Sequence, residues 1–483
     1  MTKLTYLLTH LLYSPAQVIA GHPFRGGSPT QVDVVVVGGG LSGLAAAKTL
    51  IDGGKKVAVV EARGRVGGRV ENKQLKNGGV TELGAAFVGP TQDDVLALIE
   101  ELGLQTLDEY NEGSNLAVIS GERLLYDSSS PVPDLDDASL LAAGTAFATL
   151  DACAASIDVE SPWSHPNATQ WDSFTLDTWL SQQNLTFPVL ALFNTAFPAL
   201  ISVEAGEVSF LYAVSYIASA GNTTQAGTIE RLVGVGNGAQ EKRVVGGTGL
   251  LAPGLAKQIG EGNIHLNSPV QAITKHDNSY IVQSSKQSFI AKNVVVAMSP
   301  PLAGRIRYDP PLSAQRDQLT QRMFMGSLGK ATAIYAKPFW REANLTGQAL
   351  TNSGTVRSTL DVSPDDGSYG AILGFIEADQ MRALDDATDS EIAALVSEDY
   401  ISYFGPQAAN VSEWVIQRWD NEIYSRGGPV AVASPGTLSR YGPALRKPQG
   451  GIHWAGTESS DFWVGYMSGA LRAGKRAARE ILG

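Results

Sequence analysis

The sequence predicts an α/β fold built on a parallel sheet, and three features of residues 33 to 69 support it. Val34 to Val37 is an uninterrupted β-branched run, Gly38-x-Gly40-x-x-Gly43 follows directly, and Val57 to Val60 ends on the acidic Glu61. A strand buried on both faces reads as a continuous apolar run rather than as alternation. The glycines serve separate ends: Gly38 permits the tight turn, Gly40 lets backbone approach a pyrophosphate, and Gly43 lets the following helix pack close to the strand. Phosphates placed there meet the free N–H groups and positive dipole end of a helix N-terminus. Leu44 to Leu50 has helical spacing, Gly53-Gly54 ends that helix, and Glu61 lies eighteen residues past Gly43, where a carboxylate can accept both ribose hydroxyls. A glycine turn alone can be purely structural. With these parts in register it specifies a Rossmann-type dinucleotide-binding domain.

Arg63, Arg65 and Arg69 follow Glu61 within eight positions, with Gly67-Gly68 between them. Cations and bare backbone beside a pyrophosphate suit a more fully enclosed ligand than a nicotinamide cofactor. The string Glu61-Ala-Arg-Gly-Arg-Val-Gly-Gly-Arg69 resembles the signature of the flavin-containing amine oxidase family, where it binds FAD; Gly64 stands where the family more often has an acidic residue. Further segments match in order. Gly84 to Gln92 is similar to the segment under the flavin ring, and Asn237 to Gly247 to the strand carrying the active-site glutamine, here Gln240. Ser299 to Pro311, Lys337 to Arg341 and, most strongly, Trp454 to Gly469 complete the set. The match runs from about Val32 to Leu482 and is nearest to monoamine oxidases.

The resemblance implies a monoamine oxidase-like fold: a Rossmann-type FAD-binding domain (31–106, 245–295 and 422–483) and a discontinuous α+β substrate domain (107–244 and 296–421), while Gly21, Pro23, Gly26, Gly27 and Pro29 make residues 1–30 read as an extended N-terminal arm. Composition points the same way. Asp93 to Leu102 is an amphipathic helix capped by Thr91, 127 to 137 is a polar loop, and Ser139 to Tyr216 has helical spacing punctuated by Pro162, Pro166 and Pro198. Glycine turns and strands such as Tyr280 to Gln283 and Asn293 to Ala297 return after Val244.

The 483 residues suffice for two domains, and 17 % charged against 43 % hydrophobic residues is an ordinary globular balance. A net charge of −12 without a basic cluster argues against nucleic acid and anionic membranes, because phosphate binding needs accumulated Lys and Arg. Cys153 is the only cysteine, so no intrachain disulfide can form and a cytoplasmic location is expected. Thr5 to Tyr13 followed by Val18-Ile-Ala20, and five Asn-x-Ser/Thr sequons, leave secretion open. No uninterrupted run of eighteen apolar residues occurs, and a soluble protein is expected. His10, His22, His165, His265, His276 and His453 show no i, i+4 pair, so no metal site is expected. Ser42 and Ser468 do not complete a nucleophile elbow.

Flavin-dependent amine oxidation needs an amine oriented against the ring, water excluded and oxygen admitted; the hydride acceptor is the flavin N5. The imine formed then hydrolyses to an aldehyde or ketone and ammonia, with hydrogen peroxide as the second product. The resemblance assigns FAD contacts to Gly38, Gly40, Gly43, Glu61, Arg63, Gly68, Arg69, Ala85, Val270, Trp419, Thr457 and Glu458. Tyr466 takes the position of an aromatic wall perpendicular to the flavin, where a ring face favours an amine nitrogen. A packed core tyrosine fits the same residue. In monoamine oxidases the facing wall follows Gly-Gly-Cys, whereas this chain reads Arg426-Gly-Gly-Pro-Val430. A covalent cysteinyl-flavin link is therefore excluded there, and noncovalent FAD is expected. Val430 would replace the second aromatic, and Trp419 would pack near the flavin or in the core.

The lysine that reaches flavin N5 through a water aligns with Arg305, and Lys330 is the second candidate. Arginine stays charged and cannot act as a base, but it can hold a water or stabilise superoxide. The remaining pocket positions are Phe87, Ala199, Leu200 and Val233. Small residues at 199, 233 and 430 widen a cavity whose apolar walls favour bulky or long-chain primary amines, fumonisin-like aminopolyols among them. An L-amino-acid oxidase, a polyamine oxidase and a catalytically idle flavin-binding scaffold are the alternatives. The expected partners are a small-molecule amine and O2, with no nucleic acid and no membrane, and a homodimer is an allowed assembly.

Overall fold

The structure, a computed structural model, describes residues 28–119, 121–130 and 132–483; the apolar stretch and cleavage-like site near the N-terminus lie outside them. Val34–Val37 pairs in parallel with Val57–Val60 on one side and with Asn293–Ala297 on the other. The sheet extends to Ile264–His265 and Ile452–Ala455 at its edges. Successive side chains of a strand point to opposite faces, and both faces are covered here. Val34 and Val36 pack into an apolar cluster with the helices Leu41–Asp52, Leu251–Ile259 and Met467–Leu482. Val35 and Val37 pack instead on Ile273, Val282 and Phe289 of a second five-stranded sheet. The unbroken valine run reflects this two-sided burial.

A seven-stranded mixed sheet forms the second body, in the order Glu413–Arg418, Leu328–Tyr335, Gly370–Glu377, Ser358–Asp361, Leu345–Thr351, Ser114–Ile119, Glu122–Asp127. Helices Asp137–Ala155, Phe187–Ile201 and Phe210–Ser219 form a third apolar cluster, which also takes in Val430 to Ala433 and Trp463. Arg307–Asp309 pairs with Ala272–Thr274, and Met323–Met325 with Ala431–Ala433, so strands cross the domain limits read at 295 and 422.

Some local readings shift. The helix expected over Asp93 to Leu102 spans Asp93–Glu101 and starts at Gln92 without a side-chain cap. Thr91, read as that cap, adopts a left-handed φ of 65°, and its hydroxyl meets the Trp463 indole N–H at 3.2 Å instead. Gln240 sits on a turn, and its strand begins at Lys242. The helix Asp137–Ala155 is long and apolar enough, by length and composition alone, to cross a membrane; its apolar residues are interspersed with Thr and Ser, so no unbroken apolar run announced it.

Candidate active site

A cavity of about 430 Å³ runs along the C-terminal edge of the parallel sheet, from Glu61 to Tyr466. Gly38 and Gly40 form one end, and the helix beginning at Leu41 points its free N–H groups there. Gly43 is not on the wall. A β-carbon on it would lie 1.9 Å from the Gly38 carbonyl oxygen, so glycine is what lets helix and turn touch. Glu61 is almost fully buried, and its carboxylate accepts from the Gly39 N–H (2.6 Å) and the Arg63 N–H (2.7 Å). These bonds fix the acid at the strand end where a ribose would lie.

Two side chains tie the loop after Glu61 to the distant C-terminal half. Arg63 donates to Glu422 (3.2 Å) and Ser425 (2.8 Å), and its guanidinium stands over the Tyr424 ring. Arg69 donates to both oxygens of Glu458 (2.8 and 3.3 Å) and to the Pro429 carbonyl (2.6 Å). Glu458 is buried behind the wall and does not line it; its place is to hold Arg69 and the Ala431 N–H. Arg63, Gly68, Arg69, Ala85, Val270, Trp419 and Thr457 all line the cavity.

The far end is built by sheet register. Lys330 faces Phe375 across the antiparallel pair Leu328–Tyr335 and Gly370–Glu377, and directly opposed residues project to the same face. Leu328, Lys330 and Phe375 accordingly share the cavity wall with Phe87, Trp419 and Tyr466. The Lys330 ammonium donates to the carbonyls of Glu82 (2.9 Å) and Gly84 (2.8 Å). Burial pushes its pKa down to about 8, opposed by the nearby Glu82 carboxylate. Glu82 is itself raised by burial, against the pull of Arg243 and Lys330. Arg305 is on the wall too, exposed, and its guanidinium has no hydrogen bond or ion pair among the described residues.

Tyr466 precedes the C-terminal helix and lies against Trp463, edge to face at 4.8 Å and 77°. Thr457 sets its turn, accepting from the Gly465 N–H (2.8 Å) and donating to the Tyr466 carbonyl (3.0 Å). Burial raises the Tyr466 phenol to about 12.

Several expected pocket residues stand elsewhere. Val430 and Leu200 are buried in the helical cluster, Val233 packs against it, and neither these nor the half-buried Ala199 lines the cavity. Gly428 and Pro429 line the wall where Val430 was expected, and Val430 is fully buried in the helical cluster beside them. Gln240 donates to the Leu232 carbonyl (3.2 Å) and leaves its buried carbonyl oxygen unpaired, also off the wall. Ser299, Leu328 and Phe375 are wall residues the sequence reading did not single out. Leu328, two residues before Lys330 on the same strand face, is the one that alternation from Lys330 could have found.

A dinucleotide fits these features: a turn too tight for any β-carbon at Gly43, a carboxylate fixed at the strand end, and a buried Ser299 hydroxyl on the wall with no protein partner. Fold and cavity together define a dinucleotide-binding protein. Residues 41–482 match the family model for flavin containing amine oxidoreductases. Flavin-containing amine oxidase B of Sus scrofa is 36 % identical over 462 residues, covering 94 % of this chain and 86 % of that protein. Cyclohexylamine oxidase from Brevibacterium oxydans superposes with a TM-score of 0.88 at 33 % identity, covering 93 % of this chain and 98 % of that one. Wild-type putrescine oxidase bound to putrescine also reaches 0.88, at 31 % identity and 94 % and 99 % coverage. The chain belongs to the flavin-containing amine oxidase family.

It is an FAD-dependent enzyme acting on amines with O2. Cys153, on the helix Asp137–Ala155, is not on the wall, so FAD is held without a thioether bond.

Proposed function

We propose that this enzyme deaminates bulky or long-chain primary amines, fumonisin-like aminopolyols among them, to an aldehyde or ketone with ammonia and hydrogen peroxide. The observation that carries this reading is the lining of the reactive end. Phe87, Leu328, Phe375, Trp419 and Tyr466 present apolar surface, and Gly428 and Pro429 add no aromatic ring to their part of the wall. Apolar area on the substrate is favoured there by about 25 cal/mol per Å² buried. Glu61 is the one carboxylate on the described wall, and it is already engaged by two backbone N–H groups at the other end. A second ammonium on a diamine would find no counter-charge, which weighs against a polyamine substrate.

FAD held along Gly38, Gly40, Glu61, Arg69 and Thr457 would supply the two-electron acceptor, with O2 as the final oxidant. The protein's part is to deliver a neutral amine. Lys330 and Arg305 make the site cationic, which disfavours an incoming ammonium and favours the free base. Burial brings the Lys330 pKa down to about 8, which makes Lys330 the group on the wall able to exchange a proton near that pH. Tyr466 and Trp419 offer ring faces to the nitrogen. An L-amino acid is the second reading, favoured by the unpaired Arg305, which could receive a substrate carboxylate. The lone half-buried cysteine suits a reducing compartment such as the cytoplasm.

The test mixes the holoenzyme in air with benzylamine, cyclohexylamine, long-chain amino alcohols, amino acids, putrescine and spermidine, recording flavin bleaching and peroxide together. Fastest bleaching with long-chain primary amines is expected. Preference for spermidine or for an α-amino acid would overturn the substrate assignment.

A further inference from the structure

One stretch of the cofactor cavity's rim is apolar and open. Ile423 is 68 % exposed and Tyr424 40 %, and of the large apolar side chains that stand exposed among the described residues these two alone line the cavity. Neither belongs to an apolar cluster of the described fold. A single exposed apolar side chain is ordinary, whereas two in succession on the wall of a ligand cavity call for an occupant.

Their place along the cavity identifies that occupant. Arg63 follows Glu61, the carboxylate fixed where a ribose would lie, by two residues, and its guanidinium stands 5.6 Å from the centre of the Tyr424 ring. Pro269 and Val270 line the same end. They are held there because the Ser268 N–H donates to the Glu61 carbonyl and the Asn267 N–H to the Arg63 carbonyl, both at 2.8 Å. Pro269, Val270, Ile423 and Tyr424 thus put apolar surface beside the ribose acid. A flat ring system attached to a ribose suits such an end, and in FAD that group is the adenine.

The loop carrying Ile423 and Tyr424 is tied at base and tip. At its base the buried Trp419 donates its indole N–H to the Leu83 carbonyl (2.8 Å), and the Trp419 carbonyl accepts from the Gly427 N–H (2.7 Å). At its tip Arg63 donates to Glu422 (3.2 Å) and Ser425 (2.8 Å), the residues that flank the apolar pair. Bonds of an arginine to a carboxylate are among the stronger ones. Every side-chain bond and ring contact of Arg63 among the described residues goes to this loop.

We propose that Glu422 to Ser425 is a clasp over the adenosine half of FAD: Ile423 and Tyr424 touch it, and Arg63 is a positioning residue that serves the cofactor by holding the clasp in place. With no thioether bond to the flavin, contacts of this kind decide how long the cofactor stays. The inference rests on the cofactor and not on the amine proposed above.

The test uses the full chain as wild type, Ile423→Ser, Tyr424→Ala, Arg63→Met and the double variant of Arg63 and Tyr424, with melting curves establishing that each is folded. Apoprotein is titrated with FAD and with FMN, which has the same flavin ring and no adenosine. Release of FAD from diluted holoenzyme is followed by the recovery of flavin fluorescence. Loss of a stacked ring should raise the FAD dissociation constant about 5- to 150-fold in Tyr424→Ala, and release should accelerate with it. Loss of apolar area should raise it about 5- to 20-fold in Ile423→Ser, whose side chain is mostly exposed and adds little to folding. FMN binding should change by less than about 2-fold in both, because FMN does not reach the clasp. Arg63→Met should weaken FAD as well, and in its background Tyr424→Ala should cost less than it does alone. Unchanged FAD affinity in Tyr424→Ala, equal losses for FMN and FAD, or fully multiplicative losses at 63 and 424 would each overturn the assignment. Wild-type enzyme reduced only by diamines or amino acids would overturn the substrate proposal and leave this one standing.

Discussion

Gly43→Ala is the sharpest single perturbation of the cofactor site. A β-carbon at 43 would stand 1.9 Å from the Gly38 carbonyl oxygen, 3.0 Å from its carbon and 3.3 Å from Ala297 Cβ. Ordinary contacts begin near 3.4 Å, so the helix Leu41–Asp52 must withdraw from the turn by about 1.5 Å. The atoms in the way are backbone and cannot rotate aside. That withdrawal carries the helix N-terminal N–H groups away from the phosphates they serve. Overpacking of this kind costs about 1–3 kcal/mol, and charged to the bound form it weakens FAD about 5- to 150-fold. Titration of apoprotein with FAD, followed by flavin fluorescence, measures the change. Gly144→Ala is the control: its β-carbon meets nothing within 4 Å in the helix Asp137–Ala155, and it should stabilise by about 1 kcal/mol. If Gly43→Ala bound FAD as tightly as wild type, the close-packing argument would fail.

Glu61→Gln leaves one oxygen for two N–H donors, at Gly39 and Arg63, and should raise the FAD dissociation constant by the equivalent of about 1–3 kcal/mol in the same titration. Lys330 governs part of the alkaline stability profile. Its folded pKa of about 8 lies below the unfolded 10.5, so between those values the unfolded chain binds a proton the folded one does not, and stability rises with pH. In urea melts Lys330→Met should remove about 3 kcal/mol of that rise; an unchanged profile would mean the ammonium is not desolvated. Asp361, fully buried, accepts from the Trp340 indole (2.7 Å), Arg341 (2.7 Å) and the Ser363 N–H (2.9 Å). Asp361→Ala strands a guanidinium and should destabilise by about 3–5 kcal/mol, read from denaturant midpoints.

The parts of the site that could be read in advance are those made by neighbours in the chain. Gly38, Gly40, Gly43 and Glu61 belong to one strand, turn, helix and strand, whose spacing is set by local backbone geometry. Arg63, Arg69 and Tyr466 were reached through motifs of the same short range. The pocket walls were harder. Val430 and Leu200 have the composition of lining residues, and only the direction of the side chain at each register distinguishes lining from core.

By itself the sequence determined the dinucleotide turn, its acidic partner, the family and the absence of a thiol at the flavin, because each is a matter of residue type at fixed spacing. Tertiary structure decided what those residues face. Lys330 meets the Glu82 and Gly84 carbonyls across nearly 250 positions, Tyr216 packs near Tyr466 across a similar span, and Arg69 finds Glu458 across 389. Such meetings depend on strand register and helix docking, which follow from burying the whole apolar surface at once and which no local pattern records.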